Sequence, residues 1–187
     1  LNKDGQNAMW NRCFWQGYPI GSAMNPAVAL AALQEGVIDT STQFRCGYTY
    51  YNADMPDFHP LCMGTHGYLN VIEALTVSCN IFFYDTGYNL GIDNMNLYQR
   101  KLGLGELTGV EIYESDGTLA GPDEKEDWYG GDTIMAAIGQ SDNLITPVQL
   151  ATYAATIANN GTRLRTHVVD KITDYSRQTV LEETKPE

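Results

Sequence analysis

The sequence predicts an α+β domain that is rich in helices and poor in strands. Two segments carry strong helical signals: an alanine- and leucine-rich run over 25–35, and a run over 148–158 that follows a Thr-Pro pair. A threonine cap with proline at the first helical position is typical of a helix N-terminus. Near the C-terminus, 162–173 alternates β-branched residues as a strand does, and 178–183 is a weaker strand candidate.

Composition fits one globular domain over 1–187 and excludes several classes of function. Hydrophobic residues make up 43% and charged residues 18% of the chain, which is an ordinary globular balance. The net charge of -12 argues against binding nucleic acid or an anionic membrane surface through a basic patch. No apolar run approaches the roughly 20 residues that a membrane-spanning helix needs.

Between the two strong helices the chain alternates irregular and helical segments. Residues 37–68 have no periodic pattern and are dense in Tyr, Pro, Gly, Cys and His. A loop of that length is usually functional or cross-linked. A second irregular, Gly- and acid-rich excursion covers 105–131. The remaining helices are predicted, in chain order, over 70–77, 81–90 and 93–102, the last capped by Asp93.

The stretch 18–26 places a serine at the start of the alanine-rich helix. It reads Y-P-I-G-S-A-M-N-P, so that Ser22 follows a Pro/Gly turn, Pro26 fits the first helical turn and Gly36 fits the C-terminal stop. Ser22 would lie beside free backbone N–H groups at the positive end of the helix dipole. This environment favours negative charge on or near the serine oxygen. Helix capping is the alternative role for Ser22.

A second serine motif, S-C-N at 78–80, lies between two apolar helical stretches, 56 positions after Ser22. A literal S-D-N at 141–143 is a rival. It lies inside A-I-G-Q-S-D-N-L-I-T-P-V-Q-L-A, which leads directly into the helix at 148–158. That context favours a packing role for 141–143 and leaves 78–80 as the candidate functional motif.

These motifs, in this order and over nearly the whole chain, resemble penicillin-binding proteins, the serine D,D-transpeptidases that cross-link peptidoglycan, and most of all their class B branch. The family's first motif is S-x-x-K. Ser22 falls on its nucleophile, and Asn25 stands where the family has lysine. In the S-x-N motif, Ser78 would relay a proton to or from the leaving group, and Asn80 would donate a hydrogen bond to the substrate's amide.

The resemblance also implies a fold, a substrate and a location. The chain would be the helix-rich central portion of a penicillin-binding transpeptidase (serine β-lactamase-like) fold, with most of the central antiparallel sheet absent from it. The family's K-T-G triad does not occur in this sequence and is expected on a strand beyond its last residue. We expect stem peptides ending in D-Ala-D-Ala as substrates, β-lactams as acylating ligands of Ser22, and no cofactor for catalysis. Proteins of cell-wall synthesis or division would be partners, and an upstream anchor would hold the protein at the extracytoplasmic face of the bacterial membrane.

Asn25 leaves more than one functional class open. An amide has no titratable lone pair, so it can position a hydroxyl or a water but cannot act as the general base. One hypothesis is an acyl-transfer enzyme of peptidoglycan synthesis, of which this chain would be a Lys-to-Asn variant. The other is a catalytically inactive module of the same fold that binds stem peptides or organises cell-wall proteins. A serine β-lactamase shares the motifs, but the T-P-V-Q-L-A segment argues against one.

The irregular loop is a candidate metal site. Five side chains able to bind a metal fall within 21 residues: Cys46, Asp57, His59, Cys62 and His66. Two thiolates and an imidazole suit a tetrahedral Zn²⁺, and the sequence predicts Cys46, Cys62 and His66 as its ligands, with the fourth undetermined. A Cys46–Cys62 disulfide or two free thiols are the alternatives. Cys13 and Cys79 are expected to be unpaired, with Cys79 facing the core.

Overall fold

The core is organised around a long apolar helix, α4. In this computed structural model, which describes residues 9–186, α4 spans Asn80–Leu90 and has its apolar residues buried. It packs against both α2 (Asn25–Gln34) and α6 (Gly130–Ala137). Helices α4 and α6 approach closely because Gly87 has no side chain: a Cβ there would lie 2.3 Å from the Ala137 Cβ.

Four further helices and a short turn complete the helical part. A 3₁₀ turn over Gly21–Met24 leads directly into α2. The others are α1 (Arg12–Trp15), α3 (Val71–Val77), α5 (Ile92–Lys101) and α7 (Pro147–Ala158). Every helix predicted from the sequence is present. No helix in residues 9–186 combines the length and apolar character needed to cross a membrane.

Local capping explains where the predicted helices begin. Thr146 caps α7 in a capping box with Gln149, as the Thr-Pro signal predicts. Asn70 caps α3 in the same way with Glu73. The prediction that Asp93 caps α5 is wrong, because that helix begins one residue earlier, after Gly91, and Asp93 lies in its first turn. Helices α1 and α6 were not predicted.

Strands are few and short. Antiparallel strands β1 (Phe44–Cys46) and β2 (Gly67–Leu69) close the two ends of the irregular loop, with Cys46 opposite Gly67. The second pair, β3 (Lys171–Thr173) and β4 (Val180–Glu183), is also antiparallel. The fold within the described residues is therefore α+β and helix-rich, as predicted.

The predicted strand over 162–173 is wrong for most of its length. Only 171–173 pair with another strand. The preceding residues are held by irregular contacts to the loop after α5: Arg163 forms an ion pair with Glu106 at 2.9 Å, and the Thr166 N–H donates to the Thr108 carbonyl at 3.2 Å. Alternating β-branched residues predict an extended backbone, but they do not supply a partner strand.

Candidate active site and cysteine cluster

The nucleophile turn, Gly21–Met24, presents Ser22 to solvent at the entrance of α2. Pro26 has no N–H, so the Ser22 carbonyl lacks the donor that an α-helix would supply four residues later. It accepts instead from the N–H of Asn25, three residues later. The proline therefore favours a tighter 3₁₀ turn at the serine.

The segment 139–145 braces this turn from outside. Tyr18 and Ile145 exchange two backbone hydrogen bonds of 2.9 Å, and the Gly21 N–H donates to the Gly139 carbonyl at 3.1 Å. Gly139 has a φ of +69°, and a Cβ on it would lie 2.3 Å from the Gly21 carbonyl oxygen. The G-Q segment thus touches the residue directly before Ser22.

Two polar groups of Ser22 are unengaged. Within residues 9–186, neither its backbone N–H nor its hydroxyl has a hydrogen-bond partner. A free N–H on the nucleophile is the donor that an oxyanion hole requires when a carbonyl is attacked. The geometry suits acyl transfer at this serine.

Asn25 is buried beneath the turn. Its side chain is 2% exposed, and its Oδ1 has no hydrogen-bond partner among the described residues. An unsatisfied buried acceptor costs about 1–3 kcal/mol. The position that the resemblance assigns to a lysine is therefore occupied by an amide, which has no basic nitrogen to accept a proton and whose side-chain oxygen has no hydrogen-bond partner among the described residues.

The second motif lies at the junction of α3 and α4. Ser78 ends α3 in the left-handed conformation, with φ 52°, and its hydroxyl has no partner within residues 9–186. The Asn80 Nδ2 donates to the Leu61 carbonyl at 3.3 Å, which leaves its second hydrogen for another acceptor. Because α2 packs against both α3 and α4, the two motifs lie on neighbouring elements. No hydrogen bond links Ser22 with Ser78 or Asn80 in the described part of the chain.

The rival S-D-N triplet is part of the scaffold. Asn143 is 1% exposed, and its Oδ1 accepts from the Ala120 N–H at 3.0 Å. Its Nδ2 donates to the carbonyls of Ala136 and Gln140 at 3.1 and 3.0 Å. With its amide fully engaged by backbone groups, Asn143 has nothing left to offer a substrate.

Three buried cysteines and a half-buried histidine meet in one cluster: Cys46, Cys62, His66 and Cys79. Their ligand atoms all lie within 4.8 Å of one another. The His66 Nδ1 is 3.5 Å from the Cys46 Sγ and 3.6 Å from the Cys62 Sγ, and the Cys62 and Cys79 Sγ atoms are 3.9 Å apart. All four cysteines of the chain, including the exposed Cys13, are free, so the structure contains no Cys46–Cys62 disulfide.

Cys79 is the cluster member that the sequence did not reveal. It is buried, as expected, but its thiol lies beside Cys62 and completes a four-residue set. It is 13 positions beyond His66 and inside the S-C-N triplet, so its sequence position does not associate it with the loop. Asp57 and His59 stay outside the cluster, and the His59 ring packs on Tyr51 with centroids 4.7 Å apart.

The pKa values of Cys62 and Cys79 are shifted in opposite directions by their surroundings. Burial raises the pKa of Cys62, but hydrogen bonds from three backbone N–H groups, those of Gly64, Ile81 and Asn80, outweigh it and lower that pKa overall. Two of these N–H groups belong to the first turn of α4, where the helix dipole also favours a thiolate. Burial raises the pKa of Cys79 to about 12.

Comparison with known families and sequences gives one consistent result. Residues 1–186 match the family described as penicillin-binding protein transpeptidase domain. The chain is 34% identical to the peptidoglycan D,D-transpeptidase MrdA of Acinetobacter baumannii over 86% of its length, and 32% identical to MrdA of Escherichia coli over the same share. It spans about a quarter of the length of these curated relatives, 25% and 26% respectively.

Solved structures give the same result for the fold. All of this chain superposes on 43% of Pseudomonas aeruginosa PBP2, solved in complex with WCK 5153, with a TM-score of 0.87 and 27% identity. The chain is likewise similar to PBP2 from Helicobacter pylori in its complex with MreC, with a TM-score of 0.82 and 26% identity over 99% of this chain and 35% of that one.

Proposed function

The chain belongs to the penicillin-binding protein transpeptidase family, and from that premise we propose that it is the part of a peptidoglycan D,D-transpeptidase that carries the nucleophile, Ser22. The observation that carries the proposal is the exposed serine in a braced turn, with its own N–H unengaged. The donor strand is a stem peptide ending in D-Ala-D-Ala, and β-lactams acylate the same hydroxyl.

The reaction requires two acyl transfers. The Ser22 Oγ attacks the penultimate D-Ala carbonyl, its proton passes to the leaving amine, and the C–N bond to the terminal D-Ala breaks. The amine of a second stem peptide then attacks the ester and releases the serine with its proton restored. In this scheme the Ser22 N–H stabilises the oxyanion, Ser78 relays the proton and Asn80 orients the substrate amide.

Asn25 supports a second candidate function. With no titratable group at this position, the chain lacks the base that the first motif normally provides. An inactive member of the family would still bind stem peptides, or organise cell-wall proteins, through the same cleft. The orphaned and buried Oδ1 of Asn25 is the observation that favours this alternative.

Intact mass spectrometry after incubation with benzylpenicillin separates the two functions. Three proteins are compared: the chain as it stands, Ser22→Ala and Asn25→Lys. A covalent adduct on the unchanged chain that is lost in Ser22→Ala supports the enzyme. An adduct that forms only in Asn25→Lys supports the binding module with a preserved cleft.

In a protein extended through the K-T-G strand that the family resemblance implies, the absence of an adduct in both the parent and Asn25→Lys would contradict acyl transfer at Ser22. Thermal unfolding of each variant must accompany the experiment, because a lysine amine replaces a buried amide. A folded Asn25→Lys protein makes either outcome informative.

We also propose that the cysteine cluster binds a structural Zn²⁺ through Cys46, Cys62, His66 and Cys79. Three thiolates and one imidazole form a closed tetrahedral site of the structural type. The buried thiols lie close together without a disulfide, and the lowered pKa of Cys62 favours the thiolate that a metal needs. Bound there, Zn²⁺ would tie both ends of the irregular loop to the S-C-N triplet.

Metal content measured by inductively coupled plasma mass spectrometry tests this site. We expect one zinc per chain, lost in Cys79→Ser and retained in Cys13→Ser, the exposed cysteine outside the cluster. Substitution with Co²⁺ should give the absorption of a tetrahedral thiolate complex. If Cys79→Ser still binds one zinc per chain, Cys79 is not a zinc ligand.

The similar proteins also suggest partners and a cellular location, which we propose for this protein. One similar structure is a PBP2 bound to MreC, and another comes from a peptidoglycan synthase complex. We propose that the full protein acts at the extracytoplasmic face of the membrane with cell-wall synthesis proteins of this kind. Co-purification of the membrane-extracted protein with such partners would test it.

A further inference from the structure

Tyr153 reaches the nucleophile turn from a distant part of the chain. It lies in α7, is 3% exposed, and donates its hydroxyl to the Ala23 carbonyl at 3.1 Å. Ala23 directly follows Ser22. The contact joins residues 130 positions apart, and neither sequence motif contains Tyr153.

The Ala23 carbonyl needs this partner because it precedes the regular helix. Helix α2 begins at Asn25 with Met24 as its N-cap, so Met24 is the first residue whose carbonyl accepts a bond of the helical ladder. In a continuous helix the Ala27 N–H would donate to the Ala23 carbonyl. Here the Tyr153 hydroxyl donates to that carbonyl instead.

The hydroxyl also remains a donor at neutral pH. Burial raises the pKa of Tyr153 to about 12, against the smaller opposing effect of the hydrogen bond from Ala27. A buried, protonated tyrosine supplies one fixed hydrogen, and here that hydrogen points at the turn.

Three of the hydrogen bonds in this turn hold the backbone on both sides of the nucleophile. The Gly21 N–H is held by the Gly139 carbonyl, the Ser22 carbonyl by the Asn25 N–H, and the Ala23 carbonyl by Tyr153. Of these three partners, Tyr153 is the one that uses a side chain. The Ser22 N–H is left free between them.

We propose that Tyr153 is a positioning residue for Ser22: its hydroxyl keeps the entrance of α2 in the 3₁₀ turn that exposes the nucleophile and its N–H. The role in catalysis rests on the acyl-transfer function proposed above. Tyr153 touches neither the serine hydroxyl nor a substrate, and it acts through the Ala23 carbonyl. Without the hydroxyl, that carbonyl would lose its partner and the Ala27 N–H would be free to donate to it, which would lengthen α2 by one residue to begin at Met24 and change the turn that follows Ser22.

The test compares two tyrosine-to-phenylalanine variants that act at opposite ends of α2. Tyr153→Phe removes the hydroxyl at the N-terminal end. Tyr98→Phe removes the hydroxyl that donates to the Glu35 Oε1 at 2.6 Å, at the C-terminal end. The first measurement is amide hydrogen exchange, resolved to peptides covering 21–28 and 29–36. The second is the acylation kinetics with benzylpenicillin, in the unchanged chain and in the Asn25→Lys background.

For Tyr153→Phe we expect a change of about tenfold in exchange rate confined to 21–28, the size of one net hydrogen bond. We expect the limiting acylation rate to fall by a similar factor while the concentration for half-saturation stays unchanged, because the turn orients the serine and does not bind the ligand. Tyr98→Phe should leave the exchange rate over 21–28 and the limiting acylation rate at the parent values.

Unchanged exchange over 21–28 in a folded Tyr153→Phe protein would overturn the proposal, as would a limiting acylation rate equal to that of the parent. If no protein is acylated, including Asn25→Lys extended through the implied K-T-G strand, the proposed acyl-transfer function fails. The exchange pattern then decides by itself whether Tyr153 holds the turn.

Discussion

The backbone of Gly139 lies against the backbone of Gly21, with the Gly21 N–H donating to the Gly139 carbonyl at 3.1 Å. Their separation allows no side chain at Gly139, since a Cβ there would lie 2.3 Å from the Gly21 carbonyl oxygen and 2.8 Å from its nitrogen. The residue before the nucleophile is thus positioned by a segment more than a hundred positions away.

Gly139→Ala should destabilise the protein more than a matched control. Gly36 has the same φ of +69° but nothing within 4 Å of its Cβ position. Gly36→Ala should cost about 1 kcal/mol from the left-handed backbone alone. Gly139→Ala should cost about a further 1–3 kcal/mol, because the new methyl overlaps Gly21. Urea unfolding measures the difference, and equal costs for the two variants would show that the close approach is not rigid.

Asn143→Ala should cost about 3 kcal/mol, or roughly 6–12 °C in melting temperature, because it removes the partner of the Ala120 N–H and of the Gln140 carbonyl. It also removes one of the two donors to the Ala136 carbonyl, which keeps the Gly139 N–H. The exposed neighbour serves as control: Asp142→Ala should stay within about 0.5 kcal/mol of the parent. Differential scanning calorimetry compares the two. A small effect of Asn143→Ala would mean that water replaces the amide.

Asp85 should make stability fall as the pH rises. It accepts from the Tyr50 hydroxyl at 3.0 Å, but burial raises its pKa above the value of an unfolded chain. A raised folded pKa means that the native state binds the proton more tightly. The contribution of Asp85 is therefore greatest below the unfolded pKa and is lost as the pH rises through the folded one.

Asp85→Asn should accordingly be more stable than the parent at pH 7, and the difference should shrink on acidification towards pH 4. An amide oxygen can still accept from Tyr50, so the hydrogen bond survives the substitution. Melting temperatures of both proteins between pH 4 and 8 provide the measurement. Parallel pH profiles would show that Asp85 titrates as it does in the unfolded chain.

Removing the metal should expose thiols as well as lower stability. With Zn²⁺ bound, we expect a thiol reagent to modify one cysteine, the exposed Cys13. After chelation it should modify all four, and the melting temperature should drop, because a ligand that binds only the folded state stabilises it. In Cys13→Ser we expect no modified cysteine with Zn²⁺ bound and three modified cysteines after chelation. An unchanged count after chelation would mean that the buried thiols are protected without a metal.

Local sequence signals were sufficient to predict most of the helices, and they are also the basis of the candidate site. The Thr-Pro start of α7, the alanine-rich run of α2 and the motif order around Ser22 and Ser78 each depend on residues close together in the chain. Capping and hydrophobic periodicity act over one or two helical turns, so they can be read without the fold. The lack of a base at position 25 also follows without the fold, because an asparagine side chain cannot act as a general base in any environment.

The tertiary structure decided what depends on long-range contacts. It brought Cys79 to the thiols of Cys46 and Cys62, set the Gly139 backbone against Gly21, and directed the Tyr153 hydroxyl to the Ala23 carbonyl. It also left most of 162–173 unpaired, because a strand needs a partner that no local pattern specifies. The sequence by itself determined which residues have the chemistry for acyl transfer and metal binding. Only the packing of distant segments decided which of them meet, because burial and hydrogen-bond partners are properties of the folded chain.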